Sequence, residues 1–206
     1  MHRIYAEMKQ SIFLFSFIVL SSQCFSQKVI VHASIENKKT NTKSDTIYYD
    51  FNRQLTWSDF KGKPDENHFG GAVTASGFAF DSKMNFDGRN IYLDIEVYTF
   101  FIKNDSWRKF QINSDYHLLH EQHHFDITRL GAEKLIDELT KANFTKGTYN
   151  SLLTSIFEKA YRENSEVQHQ YDKETIHSIN TAKQQEWNDK IAGKIKKLKE
   201  TAVVKN

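Results

Sequence analysis

The sequence predicts an α+β fold in which an N-terminal antiparallel sheet is followed by a C-terminal helical part. In the first half of the chain, apolar and polar residues alternate with the period of two that is typical of strands. From Ser114 onward, apolar residues recur at helical spacing instead. The chain has 206 residues, of which 39% are hydrophobic and 14% aromatic, so it carries enough apolar surface for a folded core. We therefore expect a single domain.

Three segments of the first half have strand patterns, and the linker between the last two is typical of a hairpin. The predicted strands cover Lys28 to Ile35, Ala72 to Phe80 and Asn90 to Lys103. Between the second and third, Asp81 to Arg89 contains an Asp-Gly pair, which favours a turn between antiparallel strands. The segment from Leu55 to Pro64 mixes aromatic and turn residues, which indicates a loop held on the core by its rings.

Three helices are predicted in the second half of the chain. The first runs from Ser114 to about Lys141, with Ser114 or Asp115 as its N-cap. The second begins at about Thr148, and the third, which is rich in lysine, covers about Thr181 to Leu198. No segment of about 20 to 50 residues is repeated, which excludes a solenoid or propeller.

Charge and cysteine content exclude several classes of protein. The chain has 28 basic and 26 acidic residues and a formal net charge of +2. Nucleic-acid binding needs a concentrated positive field, so no nucleic-acid partner is expected. The single cysteine, Cys24, excludes a disulfide scaffold and a zinc site built from thiolates.

Residues 1–26 have the pattern of a secretory signal peptide. The almost wholly apolar run from Ser11 to Leu20 is too short for a membrane span, which needs about 20 residues. A segment of small and polar residues follows, and we expect cleavage after Ser26. The alternative is lipid attachment at Cys24, which the preceding Gln disfavours because a small residue is usual there. The mature chain, 27–206, is then a single secreted or periplasmic domain without a membrane span.

The pattern His-Glu-x-x-His is formed by His120, Glu121 and His124. On a helix, residues four apart lie on the same face one turn apart, so both histidines can bind one metal ion. Imidazole nitrogens suit Zn²⁺, and three protein ligands leave one position for water. Glu121 points about 100° around the helix axis, so we expect it beside the metal as a general base. The alternative is a histidine-rich helix face exposed to solvent.

The third ligand has to come from elsewhere in the chain, and the residues alone leave it open. The candidates are His169, Asp172, Glu174 and His177, which share one polar segment. Each is also typical of the charged, solvent-exposed end of a helix. His117 lies on the metal face one turn before the motif, where a third ligand from the same helix is strained. We therefore expect His117 to line the cleft.

These motifs resemble a bacterial family of predicted secreted zinc-dependent proteases, also described as a domain of unknown function. The resemblance implies a zincin-like domain whose helix carries the His-Glu-x-x-His motif. The second of the four segments that carry it is the most specific. The segments span most of the mature chain and are Leu55 to Pro64, His120 to Ile127, Gln170 to His177, and Gln184 to Trp187.

The resemblance also implies the roles of individual residues. The two histidines of the motif are the implied zinc ligands, and its glutamate is the implied general base. The segment that ends at His177 is implied to approach the metal, which makes His177 the expected third ligand and Asp172 the next candidate. The family usually has a glycine after this last histidine, whereas Ser178 follows here. The backbone at this turn is therefore where the chain departs from the family.

Together these observations predict a secreted zinc-dependent hydrolase, with a peptidase acting on a peptide or protein substrate as the first choice. Glu121 would accept a proton from the attacking water and pass it to the leaving amine. Tyr171 or His117 would donate a hydrogen bond to the developing oxyanion. Two alternatives stay open: an amide or peptidoglycan hydrolase that uses the same residues, and a non-catalytic envelope or surface binding module with a structural metal.

Overall fold

The structure of the chain is a computed structural model that describes residues 27–204. The predicted signal peptide, with its cleavage point after Ser26 and its cysteine, lies outside the described residues and stays a prediction. Between residues 27 and 204, no helix is long and apolar enough to cross a membrane. The predicted α+β class is confirmed, because all the strands of this part of the chain precede its three long helices.

All three helices begin close to where the sequence predicts them, and the first also ends there, whereas the second and third continue beyond the predicted patterns to Thr175 and Val204. Ser114 is the N-cap of the first helix, and its side-chain oxygen accepts a hydrogen bond from the backbone N–H of His117. A short 3-10 helix covers Trp57–Asp59. The strands are β1 (Val29–Ile35), β2 (Thr46–Tyr48), β3 (Ala72–Val73), β4 (Ser76–Phe86), β5 (Ile91–Ile102) and β6 (Trp107–Arg108), and the helices are α1 (Asp115–Lys141), α2 (Tyr149–Thr175) and α3 (Thr181–Val204).

β5 is the central strand of a four-stranded sheet. Its residues alternate between buried and more exposed positions, as the period-two pattern predicts. β4 pairs antiparallel with one edge of β5 over its whole length. The other edge is shared, because β2 pairs antiparallel with the end of β5 and β1 pairs parallel with its beginning. The sheet is therefore mixed, not wholly antiparallel as predicted, since the chain reverses direction between β1 and β2 along one edge.

Two strand boundaries also differ from the prediction. The strand predicted from Ala72 to Phe80 is divided, because β3 pairs with β6 in a separate two-stranded sheet. β4 then continues to Phe86, through most of the segment predicted as a hairpin loop. Its outer half is exposed, so the polar side chains there resemble those of a loop. The turn itself is short and includes Gly88, whose φ of 92° favours glycine.

α1 packs between the sheet and the other two helices. Leu135 and Leu139 are fully buried in one apolar core with Ile95 and Val97 of β5. Complete burial of one such side chain contributes about 1.5–3 kcal/mol. A smaller core lies among the three helices and contains Tyr171 of α2 with apolar residues of α1 and α3. The N-terminal half of α1, which carries the motif, is thus covered by helices on one side.

The segment from Leu55 to Pro64 is held on the core, as predicted. Phe60 is buried, and its ring centroid lies 5.3 Å from that of Phe101 in β5. At Gly62 the chain passes very close to the connection between β5 and β6. A Cβ atom there would lie 2.6 Å and 2.9 Å from two backbone carbonyl oxygens of that connection. Only a residue without a side chain fits this approach.

We expect Gly62→Ala to lower the free energy of unfolding by about 1–3 kcal/mol, because rigid backbone must move to admit the methyl group. Urea unfolding followed by circular dichroism measures the change. The matched control is Gly147→Ala, where a Cβ would meet no atom within 4 Å. That control should change stability by less than about 0.5 kcal/mol. Equal stability of the two variants would show that the approach at Gly62 is not tight.

Candidate metal centre

α1 presents the two histidines of the motif side by side. The side chain of His120 is buried, and its Nε2 lies 3.2 Å from Nε2 of His124. α2 contributes Asp172, whose Oδ1 lies 3.1 Å from each of these nitrogens. The three atoms therefore form a nearly equilateral triangle with edges of 3.1 to 3.2 Å.

His177 lies in the turn after α2 and approaches the same carboxylate. Its Nδ1 is 3.3 Å from Oδ1 of Asp172. One ligand atom each from His120, Asp172 and His177 lie within 4.8 Å of one another, which is close enough to hold a metal ion. The structure thus brings both the expected third ligand and its runner-up to the motif. Asp172 makes close contacts with both motif histidines, whereas the ion-pair contact of His177 is with Asp172.

Two glutamines contact the outer nitrogens of the motif histidines. Nδ1 of His120 lies 2.8 Å from Oε1 of Gln184 in α3, and Nδ1 of His124 lies 2.6 Å from Oε1 of Gln168 in α2. The amide nitrogens of both glutamines donate to other groups, which fixes the oxygens toward the rings. Because an amide oxygen only accepts, each Nδ1 carries a hydrogen. When neutral, each ring therefore keeps the lone pair of Nε2 for a metal.

The pKa values of Asp172, His124 and His177 are shifted by their contacts within the cluster. Burial favours the neutral acid at Asp172, but hydrogen bonds from the three histidines hold the pKa of Asp172 well below its usual range. Burial lowers the pKa of His124, but the hydrogen bond to Asp172 and the charges of Asp172 and Glu121 raise that pKa to about 9. The hydrogen bond to Asp172 also raises the pKa of His177, against the effect of burial. At neutral pH the metal-free cluster therefore holds a proton where a cation could bind.

Glu121 lies beside the cluster and not within it. Its side chain is buried, and its Oε2 accepts a hydrogen bond of 2.7 Å from the hydroxyl of Thr74, between β3 and β4. The negative charge of Glu121 is close enough to contribute to the raised pKa values of His124 and His177. This position is the one that helix geometry predicts for the residue after a ligand.

A cleft of about 380 Å³ opens onto the cluster. His124, Asp172 and His177 contribute to one part of its wall, and Val73 and Thr74 of the β3–β4 segment contribute to another. A molecule from solvent can therefore reach the cluster and the side chain that holds Glu121. This combination of a partly buried charged cluster and an open cleft is typical of a functional site.

Two residues predicted to face the substrate lie elsewhere. Tyr171 is fully buried, its ring stacks on His120 at 4.6 Å between centroids, and its hydroxyl accepts a hydrogen bond from Gln184. The oxyanion role predicted for Tyr171 is therefore wrong, because its hydroxyl is buried among the helices and does not line the cleft. Nδ1 of His117 lies 2.6 Å from the hydroxyl of the N-cap Ser114, and His117 is not among the cleft residues.

The remaining ligand candidates do not join the cluster. His169 lines the cleft as an exposed side chain. The carboxylate of Glu174 accepts hydrogen bonds from Gln170 and from the indole of Trp187, which hold it to the outer side of α2 and α3. Both therefore fit the alternative that the sequence left open for them, as polar residues near a helix end.

Sequence reasoning missed three side chains of the site. Gln168 precedes Asp172 by four residues, so the helical spacing that identified the motif could have placed it on the same face. Gln184 belongs to one of the segments that resemble the protease family, but the pattern gave it no role. For Thr74 the sequence contains no signal, because its contact with Glu121 depends on how β3 and β4 are joined.

Three successive residues after α2 have a left-handed backbone. The φ angles of Ile176, His177 and Ser178 are 50°, 49° and 71°. Such a conformation costs about 1–2 kcal/mol for each residue that is not glycine. Hydrogen bonds hold the turn, from the backbone N–H of His177 to the carbonyl of Asp172 and from the hydroxyl of Tyr116 to the carbonyl of Ser178. The turn directs His177 back toward α2, and its left-handed backbone is one that glycine would adopt more readily than Ser178.

We expect Ser178→Gly to raise the free energy of unfolding by about 0.5–1 kcal/mol, because glycine relieves the left-handed strain. Urea unfolding of the metal-free protein measures the change. The control is Ser155→Gly at an exposed position inside α2, which should lower stability by about 0.5 kcal/mol. If both variants lost stability equally, the turn at Ser178 would be unstrained.

Comparison with protein-family models, curated proteins and solved structures finds no match to this chain. The resemblance to secreted zinc-dependent proteases therefore depends on the motifs quoted above and stays a prediction.

Proposed function

We propose that this protein is a secreted zinc-dependent hydrolase whose substrate is a peptide or protein. The observation that carries the proposal is the triangle of Nε2 of His120, Nε2 of His124 and Oδ1 of Asp172. Tetrahedral ligands bonded to zinc at about 2.0–2.1 Å lie roughly 3.3 Å apart. The edges of the triangle, 3.1 to 3.2 Å, fit this spacing. The two imidazoles and one carboxylate are also a donor set that zinc prefers.

The hydrogen bonds around the triangle support the same assignment. With Gln168 and Gln184 occupying both Nδ1 atoms, two lone pairs and one carboxylate oxygen lie in contact. Such an arrangement is unfavourable unless a proton or a metal ion lies among them. We therefore assign Asp172 as the third ligand in preference to His177, because Asp172 alone contacts both motif histidines. His177 is assigned to holding Asp172 and to the wall of the cleft.

The chemistry follows from the groups around the triangle. A bound zinc ion would lower the pKa of a water ligand to about 7 and polarise a substrate carbonyl. Glu121 is the proposed general base, since Thr74 donates a hydrogen bond to Oε2 and leaves Oε1 as the second acceptor of the carboxylate. Glu121 would accept a proton from the attacking water and return it to the leaving amine.

The open cleft favours a hydrolase over a binding module with a structural metal. Structural zinc sites are closed by four protein ligands, whereas catalytic sites keep one position for water or substrate. Here the cleft of about 380 Å³ opens directly onto Asp172 and His177. The choice of a peptide substrate rests on the motif and the resemblance. The proposal of secretion rests on the pattern of residues 1–26.

The purified wild-type chain should hold about one zinc ion, as a three-ligand site predicts. His120→Ala, His124→Ala and Asp172→Ala should each lose the metal, because each removes one corner of the triangle. His177→Ala should keep most of it. Zinc content after gel filtration, measured by inductively coupled plasma mass spectrometry, checks this order.

The matched control is His169→Ala, which removes an exposed cleft histidine one turn before Asp172. This variant should retain zinc, and circular dichroism of every variant excludes general unfolding. If His177→Ala lost the metal while Asp172→Ala kept it, the third ligand would be His177, as the family resemblance implies. Full retention in both α1 variants would contradict a metal site on the motif.

Glu121→Gln should leave zinc content and fold unchanged but reduce hydrolysis by about 10²- to 10⁴-fold, the usual contribution of a general base. The amide keeps size and polarity and removes the proton acceptor. Cleavage of a broad peptide library, analysed by mass spectrometry, gives the rates. The control is Glu138→Gln, a surface carboxylate of α1 that pairs with Lys159 and should not affect the rate.

Three other outcomes would change the interpretation. Loss of zinc from Glu121→Gln would make Glu121 a ligand or a support for one. Unchanged turnover would reject the general-base role. A wild-type chain that binds zinc and cleaves neither peptides nor peptidoglycan fragments would favour the binding module.

A further inference from the structure

Thr74 makes the closest polar contact of the proposed general base. Its hydroxyl lies 2.7 Å from Oε2 and 3.1 Å from the backbone carbonyl oxygen of Glu121. A hydroxyl has one hydrogen to donate, and the shorter contact to a charged oxygen is the stronger of the two. Thr74 also lines the cleft together with His124. One side chain therefore touches both the base and the space that a substrate would occupy.

The chain that directly follows Thr74 is held by contacts of its next two residues. The next residue, Ala75, donates its N–H to the hydroxyl of Ser106 and accepts a hydrogen bond from the N–H of Ile102. The hydroxyl of Ser76 lies 2.7 Å from that of Thr128 in α1, which ties the start of β4 to the motif helix. A β-branched side chain has few χ1 rotamers, so the hydroxyl of Thr74 has a well-defined position.

In this geometry the two carboxylate oxygens of Glu121 have different surroundings. Oε2 accepts the hydrogen bond from Thr74, which leaves Oε1 as the other acceptor of the carboxylate. Without the hydroxyl, the carboxylate could rotate about its side-chain torsions and present either oxygen to several directions. A general base must hold its acceptor atom within hydrogen-bonding distance of the proton it removes.

We propose that Thr74 is a positioning residue for Glu121, which it orients so that Oε1 is the oxygen that accepts the proton. This role rests on the proposed hydrolase function. With this role, a residue between β3 and β4, outside the His-Glu-x-x-His motif, contributes to catalysis. Thr74 acts through Glu121 and takes no part in zinc binding.

The test compares Thr74→Val, which keeps the shape and removes the hydroxyl, with Thr74→Ser, which keeps the hydroxyl. Thr74→Val should lower kcat by about 10- to 100-fold, the cost of a misplaced catalytic group, with KM and zinc content unchanged. Thr74→Ser should keep kcat within a few-fold of wild type. The control is Thr99→Val in β5, which removes a buried hydroxyl that has no partner among the described residues and should leave kcat unchanged.

A double-mutant cycle separates positioning from packing. In the Glu121→Gln background, Thr74→Val should have no further effect on kcat, because the group through which it acts is already lost. Additive losses would overturn the positioning role, as would full activity of Thr74→Val or equal loss in Thr74→Ser. An active wild type with any of these results rejects this inference alone. A zinc-loaded wild type without hydrolytic activity rejects the hydrolase and the positioning role together.

Discussion

The site depends on a single oxygen atom, Oδ1 of Asp172. It lies 3.1 Å from Nε2 of His120 and of His124 and 3.3 Å from Nδ1 of His177. A carboxylate that is largely withdrawn from water is costly unless opposite charge compensates it. The neutral imidazoles cannot supply that charge, because their hydrogens are directed to Gln168 and Gln184. The contacts are favourable only with a proton or a metal ion among them, and the proposed zinc ion would meet this requirement.

The same oxygen joins parts of the chain that are distant in sequence. His120 and His124 belong to α1, Asp172 belongs to α2, and Gln184 extends the contact to α3. Tyr171 fills the space among these helices, with its ring on His120 and its hydroxyl on Gln184. A cation bound to the folded cluster would thus stabilise the packing of three helices, since ligands that bind only the native state shift the folding equilibrium toward it. The strained turn at residues 176–178 is then one cost of bringing His177 into the same contact.

The parts of the structure that depend on local sequence could be predicted, and those that depend on distant contacts could not. The spacing of His120 and His124 is fixed by the helix itself, and the N-cap of α1 could be predicted from Ser114. The parallel pairing of β1 could not, because alternating residues give the same pattern in either direction. Asp172 and His177 both lie close to the motif. Which of them lies nearer to the two histidines depends on a left-handed turn, formed by residues that rarely adopt this conformation. Family resemblance favoured His177, whereas the contact with both histidines favours Asp172.

The functional groups of the motif are held by two different parts of the fold. The histidines are held by Gln168 and Gln184 from α2 and α3, whereas Glu121 is held by Thr74 from the junction of two strands. Consecutive residues of a helix point about 100° apart, so His120 and Glu121 face different parts of the fold. Metal occupancy would therefore affect mainly the helical side of the site. The position of Glu121, the proposed base, depends on Thr74 and would persist in a chain without a bound metal.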